Sequence, residues 1–134
     1  MQQRKNPWLI RAMLTISLMS FYSVSLANAE KQDLTLNRKA GTASFYNDKY
    51  HGHATTSGDA YDKNGMTAAH NSLPMGTRLR VTNLKNNRSV VVEVNDRMAK
   101  SNHRLIDVSK KAAKELGFVS AGVTKVKIEI LRSA

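Results

Sequence analysis

The sequence predicts a mainly β domain, built as a small closed barrel with one short helix. Six short apolar or alternating segments are separated by Gly, Pro, Asn and Asp, which is typical of strands joined by turns. Only one segment carries the start and stop signals of a helix. The chain of 134 residues has no cysteine, so its core has to stabilise it unaided. A closed barrel leaves no open strand edge and suits that requirement.

The first 29 residues have the features of a cleaved export signal. Arg4, Lys5 and Arg11 make the start positive, and an apolar run diluted by Ser and Thr follows from Ala12 to Leu26. Ala27-Asn28-Ala29 then offers the small residues that signal peptidase accepts. A membrane anchor is the alternative, but a bilayer needs about 20 apolar residues. We therefore expect cleavage after Ala29 and export to the periplasm, the cell wall or the extracellular space.

The positive charge of the exported chain fits either solubility or attraction to an anionic polymer. Without residues 1–29, the chain has 18 Lys and Arg and ten Asp and Glu, which gives a net charge of +8. The basic residues are scattered and no recognition helix is evident, so no nucleic acid is expected. Cell-wall glycan is the expected polyanion. The absence of cysteine excludes disulfides, thiol catalysis and a cysteine-linked lipid, so we expect no stable membrane anchor after cleavage. We also expect a monomer.

The first half of the domain contains two candidate strands and a long loop. Residues 30–40 are polar and aperiodic, which predicts a flexible lead-in before a barrel domain spanning residues 41–132. Gly41 to Tyr46 reads as the first strand, and residues 47–65 form a loop long enough to be functional. Met66 to His70 is apolar and fits either a strand or a helical turn.

The second half contains a hairpin, a short strand, the helix and a last strand. Thr77–Asn83 and Arg88–Val94 alternate around an Asn-rich turn, which predicts the hairpin. Leu105–Val108 predicts a short strand. Ser109 is a helix N-cap and Gly117 a stop signal, so the helix should span Lys110 to Leu116 with Ala112, Ala113 and Leu116 buried. Lys125–Leu131 alternates and predicts the final strand.

Four side chains at the ends of these segments could carry chemistry, and each has an ordinary structural alternative. Asp59 lies in a glycine-containing loop, where it could simply shape a turn. Asp96 follows a strand and could pair with Arg97. Asp107 lies in an apolar strand, where a buried hydrogen bond is as plausible as catalysis. His70 closes an apolar segment and could be a hydrogen-bonded wall residue.

Metal and serine chemistry have weaker support. His51 and His53 are two residues apart and could form a zinc site with His70 or Asp59, but no longer ligand motif accompanies them. No nucleophile-elbow pattern is present. We therefore expect neither a metal nor a cofactor.

The order of the motifs is more informative than any single residue, because it resembles the rare lipoprotein A family along residues 41–131. The matching blocks, in chain order, are Ala43-Ser44-Phe45-Tyr46, His51-Gly52, Thr55-x-x-Gly58-x-x-x-Asp62, Thr67-Ala68-Ala69-His70, Leu73-Pro74-x-Gly76-Thr77, Arg80-Val81-Thr82-Asn83, Val91-Val92-x-Val94-Asn95-Asp96-Arg97, Ile106-Asp107-Val108-Ser109 and Ala121-Gly122-Val123-x-x-Val126.

This resemblance implies a six-stranded double-psi β-barrel, the fold shared with expansins, and lytic transglycosylase activity on peptidoglycan, with a preference for glycan strands stripped of stem peptides. Matched position by position, it implies that Asp59, His70 and Asp96 carry activity. Asp107 matches a cleft carboxylate of expansin-like relatives. With Asp107, the candidates for substrate contact are Arg97, Tyr46 and Tyr61.

The implied reaction cleaves the β-1,4 bond after N-acetylmuramic acid without water and leaves a 1,6-anhydro end. Asp59 would serve as acid and base, Asp96 as the carboxylate that stabilises developing positive charge, and His70 as an orienting group. Active relatives have Glu where this chain has Asp59, which is shorter by about 1.5 Å. They also have Gly-Pro where this chain has Met98-Ala99, and many carry an anchor cysteine and a C-terminal repeat domain. The alternative is a non-catalytic, expansin-like module that binds cell-wall glycan.

Overall fold

The computed structural model describes residues 23–29 and 38–132. The chain divides into two units, Met1–Leu36 and Asn37–Ala134. In the first, residues 23–29 are helical and exposed. Across the described residues, no helix has the length and apolar character needed to cross a bilayer. Most of the expected signal and residues 30–37 of the expected lead-in lie outside the described residues, so both stay predictions.

The second unit is a closed six-stranded barrel, which confirms the predicted fold class. Around the barrel the strands follow the order β1-β5-β2-β4-β3-β6. A short 3-10 turn, Asp48–Tyr50, lies in the long loop after β1. In chain order the strands are β1 (Arg38–Phe45), β2 (Thr67–Ala69), β3 (Arg78–Asn83), β4 (Ser89–Asp96), β5 (Ile106–Val108) and β6 (Thr124–Ile130).

The strand register places two of the candidate aspartates on one row across the barrel. Ser44 of β1 is opposite Asp107 of β5, Asp107 is opposite Ala69 of β2, and Ala69 is opposite Asp96 of β4. A register shift between Ala68 and Ala69 brings Asp96 to this position. Asp96 and Asp107 are thus two strand spacings apart, about 10 Å at the backbone. The small side chain of Ala69 between them leaves room above the row.

The core forms as the alternation predicts. Leu79 and Val81 of β3 are fully buried, as are Val92 and Val94 of β4, with at most 1% exposure. Facing side chains from the other strands and the helix complete one apolar cluster. This core fixes the strand ends that carry the polar residues.

The single helix of the barrel unit spans Lys110–Leu116, as predicted. The Ser109 hydroxyl accepts a hydrogen bond from the Ala112 amide, and Gly117 closes the helix in the left-handed region at φ 78°. The predicted buried side chains, Ala112, Ala113 and Leu116, are all fully buried.

The structure corrects the beginning of the domain. β1 begins at Arg38, so residues 38–40 are strand and not part of a flexible lead-in. They pair with β6, where Arg38 lies opposite Glu129, and such a distant partner leaves no local signal in a polar segment. The segment that was ambiguous between strand and helical turn is strand β2. Asn87 has φ 60°, in agreement with the predicted Asn-rich turn.

Candidate active site

An open groove of about 570 Å³ lies over the row that joins β1, β5, β2 and β4. Its floor includes Ala69, and its walls carry both Asp96 and Asp107. Arg97 and Arg104 add two guanidinium groups. The remaining lining residues are Phe45, Tyr46, Asn47, Tyr50, His53, Ala54, Met98, Ala99 and Asn102.

Asp96 is the most strongly bonded candidate. Its Oδ1 accepts three hydrogen bonds, from the Thr56 amide at 3.0 Å, the Thr56 hydroxyl at 2.8 Å and the Arg97 amide at 2.9 Å. Its Oδ2 accepts one, from the Tyr46 hydroxyl at 2.6 Å. The second lone pair of Oδ2 has no partner among the described residues, which leaves this oxygen available to a ligand.

These contacts keep Asp96 ionised. Partial burial alone would raise the pKa of Asp96, but the hydrogen bonds from Tyr46, Thr56 and Arg97 outweigh burial and hold the pKa below its ordinary value. Asp96 is therefore a carboxylate at neutral pH, suited to stabilise positive charge and unsuited to donate a proton.

Tyr46 holds Asp96 from the end of β1. Burial raises the pKa of the Tyr46 hydroxyl, and the hydrogen bond to Asp96 raises it further, so the phenol remains a donor. Its ring stacks on Tyr61 with 4.3 Å between ring centroids. Tyr61 is only 2% exposed, and its hydroxyl accepts the Lys110 amide at 3.1 Å. This corrects the expectation that Tyr61 contacts substrate: the ring supports Tyr46 from behind.

Both oxygens of the Asp107 carboxylate accept hydrogen bonds from neighbouring side chains. Arg104 donates to it twice, from Nε at 2.8 Å and from Nη2 at 3.0 Å. The Ser44 hydroxyl donates to Oδ1 at 2.6 Å, and Asn102 donates to Oδ2 at 3.4 Å. The paired carboxylate raises the pKa of Arg104. Asp107 therefore fixes a guanidinium in the groove, which its place in an apolar strand did not indicate.

His70 is a buried residue in a defined tautomer, and it does not line the groove. It is 5% exposed, and its Nδ1 accepts the amides of Ser72 and Leu73, each at 3.2 Å. A neutral ring that accepts at Nδ1 carries its proton on Nε2. Burial lowers the pKa of His70, and the charges of Lys39 and Arg97 lower it further, so the ring is neutral at pH 7.

Arg97 connects His70 to Asp96. Its amide donates to Asp96, and its Nη1 donates to the His70 carbonyl at 2.7 Å. The His70 amide donates in turn to the Asp96 carbonyl at 3.1 Å. Arg97 forms no ion pair with any carboxylate in the described part of the chain, so its charge stays available in the groove.

Asp59 does not line the groove. It is exposed, and its carboxylate has a single weak contact, with the Ser57 hydroxyl at 3.5 Å. Its turn is nevertheless attached to the Asp96 strand, because Thr56 binds the Asp96 carboxylate and the Ser57 amide donates to the Asn95 carbonyl at 3.1 Å. The structure thus joins Asp96, Arg97, His70 and Tyr46 in one network and leaves Asp59 on an adjoining turn.

Sequence reasoning missed three contributors to this site. Thr56 supplies two of the four hydrogen bonds to Asp96, although nothing in its local sequence distinguishes it from its neighbours Thr55 and Ser57. Tyr50 is 42% exposed on the groove and meets Tyr46 edge to face at 6.3 Å. Arg104 could have been found from its i,i+3 spacing to Asp107.

The histidines that suggested zinc have other contacts. His51 Nδ1 accepts the Lys63 amide at 3.1 Å, and His53 packs edge to face on Tyr50 at 5.9 Å. Within residues 23–29 and 38–132, no three metal-ligating side chains form a group that could hold an ion.

Comparison with known proteins agrees with this architecture. The sequence profile of the lytic transglycolase family matches residues 38–128. The endolytic peptidoglycan transglycosylase RlpA of Pseudomonas aeruginosa strain UCBPP-PA14 is 50% identical over 97 residues, which cover 72% of this chain and 28% of that protein. The protein of the same name from Neisseria meningitidis serogroup B is 40% identical over 146 residues, covering 94% of this chain and 61% of the relative.

The chain therefore spans less than two thirds of these relatives. Among solved structures, an expansin from Clavibacter michiganensis in complex with cellohexaose superposes with a TM-score of 0.58 at 24% identity, covering 72% of this chain and 52% of the expansin. That likeness concerns the fold. With the profile match, the sequence identities and the closed barrel together, the resemblance seen in the motifs is confirmed: this chain belongs to the rare lipoprotein A family of double-psi β-barrel proteins.

Proposed function

We propose that the protein is a lytic transglycosylase that cuts the glycan strands of peptidoglycan. The observation that carries the proposal is Asp96, an ionised carboxylate that lines an open groove and keeps one oxygen partly free. Such a group stabilises the positive charge that develops at an anomeric carbon. The names of the relatives support peptidoglycan as the substrate.

The proposed reaction balances without water. Asp59, as the general acid, gives a proton to the oxygen of the β-1,4 bond after N-acetylmuramic acid, and the bond from this oxygen to the anomeric carbon breaks. Asp96 faces the resulting positive charge. The 6-hydroxyl of the same sugar attacks the anomeric carbon and closes a 1,6-anhydro ring. Its proton passes to the Asp59 carboxylate, which restores the acid.

The neighbouring groups would position substrate and not exchange protons. His70 is neutral and buried, and its backbone ties together Asp96 and Arg97, so it orients the site. Arg97 and Tyr46 line the groove and would contact the sugar. Asp107 would not contact the sugar itself but would hold the Arg104 guanidinium in position for that contact. We propose no metal or cofactor for this reaction.

The exported location is part of the proposal. We propose that residues 1–29 direct the chain out of the cytoplasm and are removed, and that the barrel acts as a monomer in the periplasm or cell wall, with no nucleic acid partner. The positive residues and the small residues at 27–29 support this, together with the peptidoglycan activity named for the relatives. The preference for strands without stem peptides is a proposal of the same kind.

A second candidate function is glycan binding without cleavage. The exposed position of Asp59 outside the groove favours it, because a general acid has to reach the oxygen that it protonates. Catalysis requires the turn at Thr55 to Asp59 to move toward the groove when glycan binds. Asp59→Glu, which adds one methylene, would shorten that movement.

The test is a search for 1,6-anhydro-muramyl ends by mass spectrometry after incubating the protein with glycan strands that lack stem peptides. We expect product from the wild type and a loss of at least about a hundredfold with Asp96→Asn, the scale seen when one stabilising group is removed. Asp59→Asn should also abolish product, and Asp59→Glu should retain or increase it.

Asp62→Asn is the matched control, since Asp62 lies in the same loop and does not line the groove. Product from the wild type that survives Asp96→Asn would contradict the mechanism. No product from any variant, with glycan still pulled down by the wild type, would establish the binding function.

A further inference from the structure

A second pocket, of about 540 Å³, adjoins the groove at the loop before β5. Two of its residues, Asn102 and Arg104, also line the groove, so a ligand could occupy both spaces. The lining offers a guanidinium, an imidazole, an amide and two hydroxyls, and none of its residues carries a carboxylate. They are Thr42, Ser101, Asn102, His103 and Arg104.

Arg104 presents unused donors to this pocket. Asp107 binds its Nε and Nη2 and so fixes the plane of the guanidinium. A guanidinium has five N–H donors, and three of those on Arg104 have no partner among the described residues. A fixed guanidinium edge matches the two oxygens of a carboxylate.

Lys125 adds a charge that no carboxylate offsets. It is the cross-strand partner of Thr42, and its Nζ donates to the Thr42 hydroxyl at 2.7 Å, on the wall of the pocket. Lys127, two residues along the same strand, differs because its Nζ is 3.6 Å from Glu129. For Lys125 the described residues offer no ion pair, so its charge attracts an anion.

Hydrogen bonds within the chain fix the shape of the pocket. The Leu105 amide donates to the Thr42 carbonyl at 2.9 Å, which holds the loop against β1. Within the loop, Asn102 Oδ1 accepts the Arg104 amide at 2.9 Å. Binding here therefore costs little ordering of the chain.

We infer that this pocket binds the carboxylate of N-acetylmuramic acid in a glycan strand whose neighbouring sugars occupy the groove. This inference rests on the proposed function for the identity of the glycan. Of the two sugars in peptidoglycan, only N-acetylmuramic acid has a carboxylate, on its lactyl ether. That carboxylate is free only where no peptide is attached, so the pocket would distinguish bare strands from peptide-bearing ones.

The test is an NMR titration of the protein with single sugars. N-acetylmuramic acid and N-acetylglucosamine differ only in the lactyl group. We expect N-acetylmuramic acid to shift the amides of Thr42 and residues 101–104 and to bind more tightly than N-acetylglucosamine. Lys125→Gln should weaken the binding of N-acetylmuramic acid by about two- to fivefold, the range of one exposed charge contact, and leave the binding of N-acetylglucosamine unchanged.

Lys127→Gln is the matched control, because it removes a neighbouring charge that is already paired, and it should bind both sugars as the wild type does. Muramyl dipeptide, in which the lactyl carboxylate is an amide, should not shift the pocket. The inference would be overturned if the two sugars bound with equal affinity, or if muramyl dipeptide bound as tightly as N-acetylmuramic acid. It would also be overturned if both lysine variants lost the same affinity for N-acetylmuramic acid. The titration does not depend on cleavage. If the sugar binds in the pocket but the protein forms no 1,6-anhydro product, the proposed function is rejected and this inference stands.

Discussion

Asp96 has two roles at the residue scale, since the carboxylate proposed for catalysis also connects distant parts of the chain. It accepts hydrogen bonds from Tyr46 at the end of β1, from Thr56 in the long loop and from Arg97 beyond β4. Replacing the carboxylate would remove the charge that strengthens each of these hydrogen bonds. Stability therefore depends on Asp96 as well as activity.

We expect Asp96→Asn to lower the free energy of unfolding at pH 7 by about 1 kcal/mol, the scale of a partly exposed, charge-assisted network. The folded state lowers the pKa of Asp96, so its stabilisation is complete above the ordinary aspartate pKa of about 3.9 and is lost as pH falls through the folded value. Urea unfolding at pH 7 and at about pH 3 measures this. A difference between variant and wild type that does not shrink in acid would contradict it.

His70 should give the wild type a second pH dependence. Because folding lowers the pKa of His70, the unfolded chain binds a proton more readily, and stability falls as pH drops below about 6.5. His70→Asn places an oxygen near the position of Nδ1, where it can still accept the amides of Ser72 and Leu73. We expect this variant to cost about 1 kcal/mol or more at neutral pH and to lose less stability than the wild type on acidification to about pH 5. Urea unfolding at both pH values tests it, and equal losses would contradict it.

At the scale of elements, Asn83 attaches the end of β3 to the helix. The side chain is 2% exposed and makes three hydrogen bonds: Nδ2 donates to the Leu116 carbonyl at 2.9 Å, and Oδ1 accepts from the Lys85 amide and the Thr124 hydroxyl. The bond to Leu116 satisfies a carbonyl at the end of the helix. Together, the bonds to Leu116 and Thr124 join β3 to the helix and to the start of β6.

We expect Asn83→Ala to destabilise the protein by about 2–4 kcal/mol, because it removes three hydrogen bonds, one of them buried, and leaves a cavity at a buried position. Asn86→Ala is the control. Asn86 also donates to the Leu116 carbonyl at 2.9 Å but lies at the exposed turn, so its loss should cost about 1 kcal/mol. Thermal unfolding of both variants measures the difference, and equal costs would contradict a special role for Asn83.

Elements with strong local signals could be predicted from the sequence, and those defined by distant partners could not. The helix has a cap, a stop and a buried face, so its position at about Lys110 to Leu116 could be predicted. The first three residues of β1 are exposed and two of them are charged, and only pairing with β6 makes them strand. Gly41 shows the same limit: a Cβ there would lie 2.7 Å from the Leu105 Cβ, a contact that the sequence does not reveal.

The same distinction applies to the site. Asp96, His70, Arg97 and Tyr46 were predicted because they belong to recognisable motifs, and the structure places them in one network. Thr56 and Tyr50 belong to the long loop, whose course depends on contacts with Asn95, Asp96 and Tyr61. Loop geometry of this kind has no periodic signal. The position of Asp59 outside the groove was unpredictable for the same reason.

At the scale of the whole molecule, closure of the barrel depends on its two chain ends. β1 and β6 pair along six positions, from Arg38 opposite Glu129 to Ala43 opposite Thr124. β6 also pairs with β3, so it joins the first strand to the hairpin. Most of the chain has to be in place before this sheet can close.

We therefore expect slow refolding, on the scale of about milliseconds to seconds, typical of proteins dominated by distant β pairings. Stopped-flow circular dichroism after dilution from urea measures the rate. Tyrosine fluorescence is a second probe, because the only tryptophan, Trp8, lies in the predicted signal. Refolding in microseconds would show that the barrel assembles from local contacts instead.

The bracing role of Asp96 has a consequence for other members of the family. A relative that had ceased to cut glycan would still be less stable without an aspartate at this position, so selection for a folded barrel alone would retain it. The occurrence of this residue in another genome therefore shows an intact groove wall and says little about turnover. Position 59 differs, because the Asp59 carboxylate makes a single weak contact and the fold alone would not retain an acidic residue there.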